Sequence, residues 1–201
     1  MNNKNDLKNS PKVLGLDIST KTIGWSLFDI KSQELLELTH FSPIIKPKVD
    51  DKIEELLIKV SMFGEKLQNY TKLGITSVII EEPLLNSNNV WTVGMLLRYN
   101  SMITKSIYDI LGIVPNFIST YNSRKYAWPE LVQSNDKGKH VLFGGLPKDV
   151  DKKELIWNKV SDKEPQITWH YTKNNTLKKE CYDMADSYTC VLGYMKQEKI
   201  W

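Results

Sequence analysis

The run VLGLDI at residues 13–18 sets a carboxylate, Asp17, inside an otherwise apolar segment. A short apolar run of this kind reads as a buried β-strand. An ionised carboxylate flanked by Leu16 and Ile18 is costly there unless it is paired, hydrogen-bonded or bound to a cation. The chain must therefore fold so that something compensates Asp17, and that requirement constrains the rest of the reading. The competing assignment, a turn-forming Asp at an exposed strand end, asks for nothing further.

The same situation recurs at residues 77–81, where Glu81 directly follows Ser77, Val78, Ile79 and Ile80. Glu82 is the rival candidate, and strand alternation points it the other way. Between the two runs lie a second strand, TIGWSLFD, and a third, QELLELTHF, joined by short connections that suggest an antiparallel meander. Residues 51–70 carry Ile53, Leu56, Leu57, Val60, Phe63 and Leu67 at helical spacing. A helix there makes a crossover, so the strand ending at Glu81 is expected parallel to the first. Asp17 and Glu81 then come side by side.

A second long helix is expected from about residue 90 to 111, stopped by Gly112, then a strand VPNFIS and a short helical piece, NSRKYAW. Residues 130–150 read as irregular, 151–160 as helical, and QITWHYTK (166–173) as a strand or an excursion. A last helix spans about 178–197. The pattern predicts an α/β fold with a mixed five-stranded sheet, three strands antiparallel and two parallel, flanked by helices. Residues 1–11 read as a disordered arm and 12–201 as one domain, with insertions near 127–150 and 164–176.

The last helix contains D-x-x-D, Asp183 and Asp186, which share one helix face. Its apolar stripe, Met184, Tyr188, Val191 and Met195, is expected on the opposite side. Taken alone, the pair reads as an ordinary polar face. Combined with two carboxylates embedded in strands, it completes a set of four that would repel one another strongly. Hard divalent ions with oxygen ligands, Mg²⁺ above all, resolve the repulsion. Two ions about 3.5–4 Å apart suit in-line phosphoryl displacement.

Composition excludes more than it assigns. Lys plus Arg is 27 against 24 Asp plus Glu, a net charge of +3, so a nucleic-acid surface must come from local clustering. Cys181 and Cys190 sit in one helical segment, too far apart along its axis for a disulfide. No Cys or His spacing suggests zinc. The first eleven residues lack an apolar core for a signal peptide, and no run approaches the ~18 apolar residues of a membrane span. The expectation is a cytoplasmic protein with reduced thiols.

LGLDISTKTIGWSLFD, VIIEEPL and DMADSY, in this order, resemble the motifs of RuvC-type Holliday-junction resolvases. The resemblance covers roughly residues 12–197. It implies a ribonuclease-H-like fold, a homodimer, Mg²⁺ dependence with two ions per site and Mn²⁺ as a substitute, and paired symmetrical nicking of four-way DNA junctions by a water nucleophile. It makes Asp17, Glu81, Asp183 and Asp186 the metal ligands. Lys125 and Lys153 match basic residues beside the scissile phosphate, and Arg124 and Lys152 join them as DNA-binding candidates. Leu84 and Leu85 fall where a family member wedges bases apart. The segments 127–150 and 164–176 depart from the compact bacterial pattern and resemble the phage-encoded branch.

Other readings compete. Lys173, Lys178 and Lys179 could track a DNA backbone or simply solubilise a helix. Trp91, Tyr99, Tyr126 and Trp128 could stack on unpaired bases, though such spacings more often mark core. The first hairpin also resembles the phosphate-binding hairpin of actin-like and sugar-kinase ATPases, but 201 residues leave no room for two copies of that fold. A non-catalytic branched-DNA-binding protein, a relative acting on ribosomal RNA precursors and an RNA-guided nuclease fragment are the remaining alternatives. The helix at 90–111, with Trp91, Met95, Leu96, Tyr99, Met102, Ile103 and Ile107, is the candidate dimer face.

Overall fold

The computed structural model describes residues 10–83, 89–134, 140–144, 147 and 149–201. Its strands β1 (Lys12–Ile18), β2 (Ile23–Asp29), β3 (Leu35–Phe41), β4 (Ile75–Glu81) and β5 (Asn116–Ile118) form one sheet in the order β3-β2-β1-β4-β5. The first three pair antiparallel, and β4 and β5 join parallel to β1, as the sequence pattern predicts. The helices are α1 (Lys52–Gln68), α2 (Val90–Leu111), α3 (Thr120–Ala127), α4 (Lys152–Lys163) and α5 (Lys179–Gln197). Among the described residues, no helix is long and apolar enough to cross a membrane.

Strand alternation divides the core into two layers. Leu14, Leu16, Ile18, Val78 and Ile80 face α1 and α2, where Trp25 packs 4.7 Å from the Tyr70 ring and 5.8 Å from Phe63. Val13, Ile79 and Ile118 face the other layer, formed by α3, α4 and α5. Asp17 shares the parity of Val13 and Gly15, so it belongs to the α5 layer.

Helix α5 lies directly on the sheet because glycines leave it room. A Cβ at Gly24 in β2 would stand 1.9 Å from the Asp183 carbonyl oxygen, and one at Gly15 in β1 would stand 2.4 Å from Val191 Cγ2. The Ser26 hydroxyl donates to the Ser187 carbonyl at 3.0 Å beside these contacts. On its far side α5 receives α3, where Gly193 lets the Ser123 backbone approach to 2.3 Å from the place a Cβ would take.

Three expectations change on folding. Helix α5 is buried nearly all round, Asp186 included, because the sheet, α3 and α4 enclose it. Of the supposed dimer face on α2, Met95, Tyr99, Ile103 and Ile107 belong to the core, since the parallel half of the sheet needs that cover; Trp91 stays exposed. The segment read as irregular holds a 3-10 turn at Pro129–Leu131 and a small hairpin, β6 (Val132–Ser134) with β7 (His140–Leu142), whose Leu142 and Phe143 pack on the α5 layer. The 166–173 stretch is an excursion with one isolated bridge, Tyr171 to Leu177. Of the segment read as an arm, residues 1–9 lie outside the described residues; Ser10 is buried, and the Pro11 carbonyl accepts from Ile30 at 2.9 Å.

Close approach of α5 makes a contrast between two glycines testable. Gly24→Ala is expected to lower stability by about 1–3 kcal/mol or more, because the new methyl meets backbone that cannot turn aside. Gly94→Ala in α2, where a Cβ meets nothing within 4 Å, is expected to be neutral or to stabilise by up to about 1 kcal/mol. Denaturant midpoints of the two variants against the parent check both.

Candidate metal centre

Parallel pairing of β1, β4 and β5 brings their C-terminal ends to one edge of the sheet, the usual place for a site in such sheets. Leu16 pairs with Ile80, so the next residues, Asp17 and Glu81, stand beside each other. Glu81 in turn pairs with Ile118, two residues before Thr120 at the start of α3. Helix α5 crosses above and supplies Asp183 and Asp186. Together with Ser19, Glu82, Pro83, Leu96, Arg124 and Lys153, these residues line a cleft of about 290 Å³.

Carboxylate oxygens of Asp17, Glu81 and Asp186 all lie within 4.8 Å of one another. Asp183 lines the same cleft beside them. Asp17 keeps an opening to the cleft but is otherwise surrounded by protein. Its carboxyl is pushed well above the ordinary range, by burial first and then by Glu81, Asp186 and Asp183. Burial and then Asp186 push Glu81 up to about 7, against hydrogen bonds from Thr120 and Cys190. Burial raises Asp183 to about 6.

Two cations answer the four carboxylates unevenly. Arg124 Nη2 donates to Asp186 Oδ1 at 3.0 Å, and Lys153 Nζ stands 3.9 Å from Asp186 Oδ2. Asp17 and Glu81 receive no such ion pair among the described residues. Glu81 is held instead by the Thr120 hydroxyl on Oε1 and, more weakly, by the Cys190 thiol at 3.5 Å from Oε2. A group of buried carboxylates with too few cations is what a hard divalent ion neutralises, and the ligand atoms that converge among the described residues are carboxylate oxygens. Asp17, Glu81 and Asp186 are the residues that could hold one ion, with Asp183 beside them.

The candidate basic residues divide. Arg124 and Lys153 reach the carboxylates. Lys125, one residue from Arg124, points elsewhere and lies over the Tyr126 and Tyr121 rings at 5.2 and 6.0 Å. Lys152 lies 5.6 Å from the centre of the Phe143 ring. Helical geometry explains the split, since successive residues on α3 and α4 are turned about 100° apart. Glu82 is exposed, and its backbone N–H donates to Ile118. Tyr99 and Trp128 are core residues. Leu84 and Leu85 lie outside the described residues. Sequence reasoning missed Thr120 and Cys190. Ser119 announces a helix N-cap, but nothing in the pattern says that Thr120 reaches across to Glu81.

No family model matches the chain, and no curated protein matches it in sequence. Solved structures do match. The Thermus thermophilus RuvC structure aligns at 13% identity over 93% of this chain and 96% of its own, with a TM-score of 0.55. T. thermophilus RuvC in complex with Holliday junction substrate aligns at 13% over 94% and 95%, with 0.57. The yeast mitochondrial Holliday junction resolvase Ydc2 aligns at 12% over 96% and 81%, with 0.59. The chain thus has the RuvC-like, ribonuclease-H-type fold that its motifs resemble, at identities where the likeness is one of fold.

The raised carboxyls give stability a definite pH dependence. A carboxyl whose folded pKa lies above its unfolded value binds its proton more tightly in the native state, so native stability falls as pH rises through that interval. For Glu81 the interval runs from its ordinary 4.5 to about 7, and Asp17 and Asp183 act in the same direction. Without divalent ions, these groups should therefore lower the melting temperature between about pH 5 and pH 8. Saturating Mn²⁺ should remove most of that fall. Glu81→Gln should melt higher than the parent at pH 8 without metal and gain less from Mn²⁺. A Glu81→Gln protein that melts lower under those conditions would show that the carboxylate is not strained.

Proposed function

We propose that this protein is a metal-dependent endonuclease that resolves four-way DNA junctions by paired, symmetrical nicks. The observation that carries the reading is the buried cluster of Asp17, Glu81 and Asp186 at the C-terminal edge of the parallel strands, under an α5 that also brings Asp183. It stands in a fold shared with RuvC and Ydc2.

In this reading Asp17, Glu81, Asp183 and Asp186 hold Mg²⁺, two ions per site, with Mn²⁺ able to substitute. Such ions supply an activated water and charge stabilisation for phosphodiester hydrolysis. The residues of the chain do the rest. Thr120 fixes the Glu81 carboxylate, and Arg124 fixes Asp186 while offsetting its charge. Lys153, 55% exposed at its side chain, is free to turn from Asp186 toward a phosphate oxygen and stabilise charge as it develops. Lys125 on α3 and Lys152 on α4 serve as DNA-backbone contacts, while Arg124, 12% exposed at its side chain, stays paired with Asp186 behind them.

Resolution needs two nicks on opposing strands, and one cleft accepts one scissile phosphate. A C2 homodimer supplies the second. Its interface must use surface left after α2 has given most of its apolar face to the core. Around the start of that helix Val90, Trp91 and Leu97 stay exposed.

The deciding experiment compares Mg²⁺-dependent cutting of labelled four-way, three-way, duplex and single-stranded DNA. Symmetrical cuts confined to branched substrates are expected; cutting of plain duplex with equal efficiency would overturn the junction assignment. Asp17→Asn should lower the rate by at least about 10³-fold while leaving junction binding intact or tighter. Glu82→Gln should retain most activity. Lys153→Ala should slow single-turnover cleavage at saturating DNA by about 10²-fold. Lys125→Ala should act mainly on affinity and its salt dependence. An unchanged single-turnover rate in Lys153→Ala would remove Lys153 from the chemistry. Sedimentation at micromolar concentration should give a dimer.

A further inference from the structure

A second group of metal-binding side chains lies away from the carboxylate cleft. His40 of β3, His170 of the 164–176 excursion and Glu180 in the first turn of α5 each offer a ligand atom, and these atoms lie within 4.8 Å of one another. They are 130 and 140 residues apart from His40 in sequence, so no spacing motif announces them. The fold brings them together for a definite reason. His40 pairs with Gly24 across β2 and β3. Gly24 is where the first turn of α5 settles onto the sheet, and Glu180 comes down beside the next strand.

The excursion is tied in place at the same point. The His170 N–H donates to Cys181 Sγ at 3.3 Å, and its carbonyl accepts from the Lys178 N–H at 2.9 Å and from the Cys181 thiol at 3.5 Å. The His170 ring meets the His40 ring edge-on at 5.4 Å. His40 Nδ1 is buried and has no hydrogen-bond partner among the described residues. Buried polar atoms are seldom left so. An orphaned ring nitrogen beside a second imidazole and a carboxylate is the environment a metal ion completes.

We propose that His40, His170 and Glu180 bind one divalent transition-metal ion, zinc in class, that pins the excursion and the sheet edge to the start of α5. Two imidazoles, which are borderline ligands, together with one carboxylate suit Zn²⁺, whereas the cleft of carboxylates suits Mg²⁺. A tetrahedral zinc with ligands at about 2.1 Å holds its donor atoms about 3.4 Å apart. Closing the set to that size requires rotation of the exposed His170 ring and of the Glu180 carboxyl. Lys178 competes for the carboxylate, its Nζ lying 3.8 Å from Glu180 Oε1; the ion must displace that contact. The site is structural in placement: it fixes the turn of α5 that leads into Asp183, three residues after Glu180.

The test titrates Zn²⁺ alone into the metal-free full chain, with millimolar Mg²⁺ present to occupy the carboxylate cleft, and follows heat and melting temperature. One equivalent per chain and a raised melting temperature are expected. Co²⁺ in its place should give the intense visible bands of a tetrahedral site. His170→Gln and Glu180→Gln, both at the surface end of the group, should weaken Zn²⁺ by more than about tenfold, the loss that even a supporting partner of a metal ligand produces. His40→Gln should do the same if it folds, and the two surface variants decide the matter if it does not. Zinc binding unchanged in His170→Gln and Glu180→Gln, or no binding in the presence of Mg²⁺, would overturn the site. Asp17→Asn should leave this zinc equivalent in place, so failure here is distinguishable from failure of the nuclease assignment.

Discussion

The backbone contact between α5 and the antiparallel half of the sheet sets the geometry of everything that follows. Two strand positions, Gly15 and Gly24, carry no side chain where α5 crosses, and the Asp183 carbonyl fills the space a Cβ would need at Gly24. With a side chain at either place the helix would ride higher by roughly the thickness of a methyl group. Asp183 and Asp186 would then lift away from Asp17 and Glu81. Gly193 repeats the device on the far side, seating α3 so that Arg124 reaches Asp186. A packing constraint thus becomes an electrostatic one.

That electrostatic arrangement opposes folding. Asp17 and Glu81 lie in the interior without ion pairs among the described residues, and burial and mutual repulsion keep their carboxyls above the ordinary range. Burial of unpaired charge is offset by the apolar layers on both faces of the sheet, where β1 and β2 are covered almost completely. Strain of this kind concentrates at functional sites. Arg124 and Lys153 make their ion pairs with Asp186 and offset the rise at Asp17, Glu81 and Asp183 only in part, which leaves the inner pair of carboxylates with the strongest demand for a cation.

Two segments outside the main sheet cluster around the same helix. The β6–β7 hairpin packs its Leu142 and Phe143 on the α5 layer, and the 164–176 excursion folds back so that His170 meets the first turn of α5. Trp157 and Trp169 join α4 to that excursion in an edge-on pair at 5.9 Å. The hairpin and the excursion therefore brace the element that carries D-x-x-D.

The sequence by itself determined the order and type of the main elements, because their periods are unmixed: near-continuous apolar runs for β1 and β4, a helical stripe in α1, Gly112 at the end of α2. It also marked Asp17 and Glu81, since a carboxylate inside an apolar strand is an anomaly visible in one dimension. Parallel pairing, itself legible from the crossover, was enough to set those two side by side. Tertiary structure alone decided the rest. Whether α2 offered a free apolar face depended on how much cover the sheet required, and Met95, Tyr99, Ile103 and Ile107 went to the core. Arg124 rather than Lys125 met the carboxylates because α3 is seated at one rotation by Gly193. Thr120 on Glu81, and His40 beside His170 and Glu180, join residues from elements far apart in the chain. Local pattern records which face of an element is apolar, but the meeting of distant polar side chains is set by how closely those elements approach, and here that distance is fixed by the absence of a few side chains.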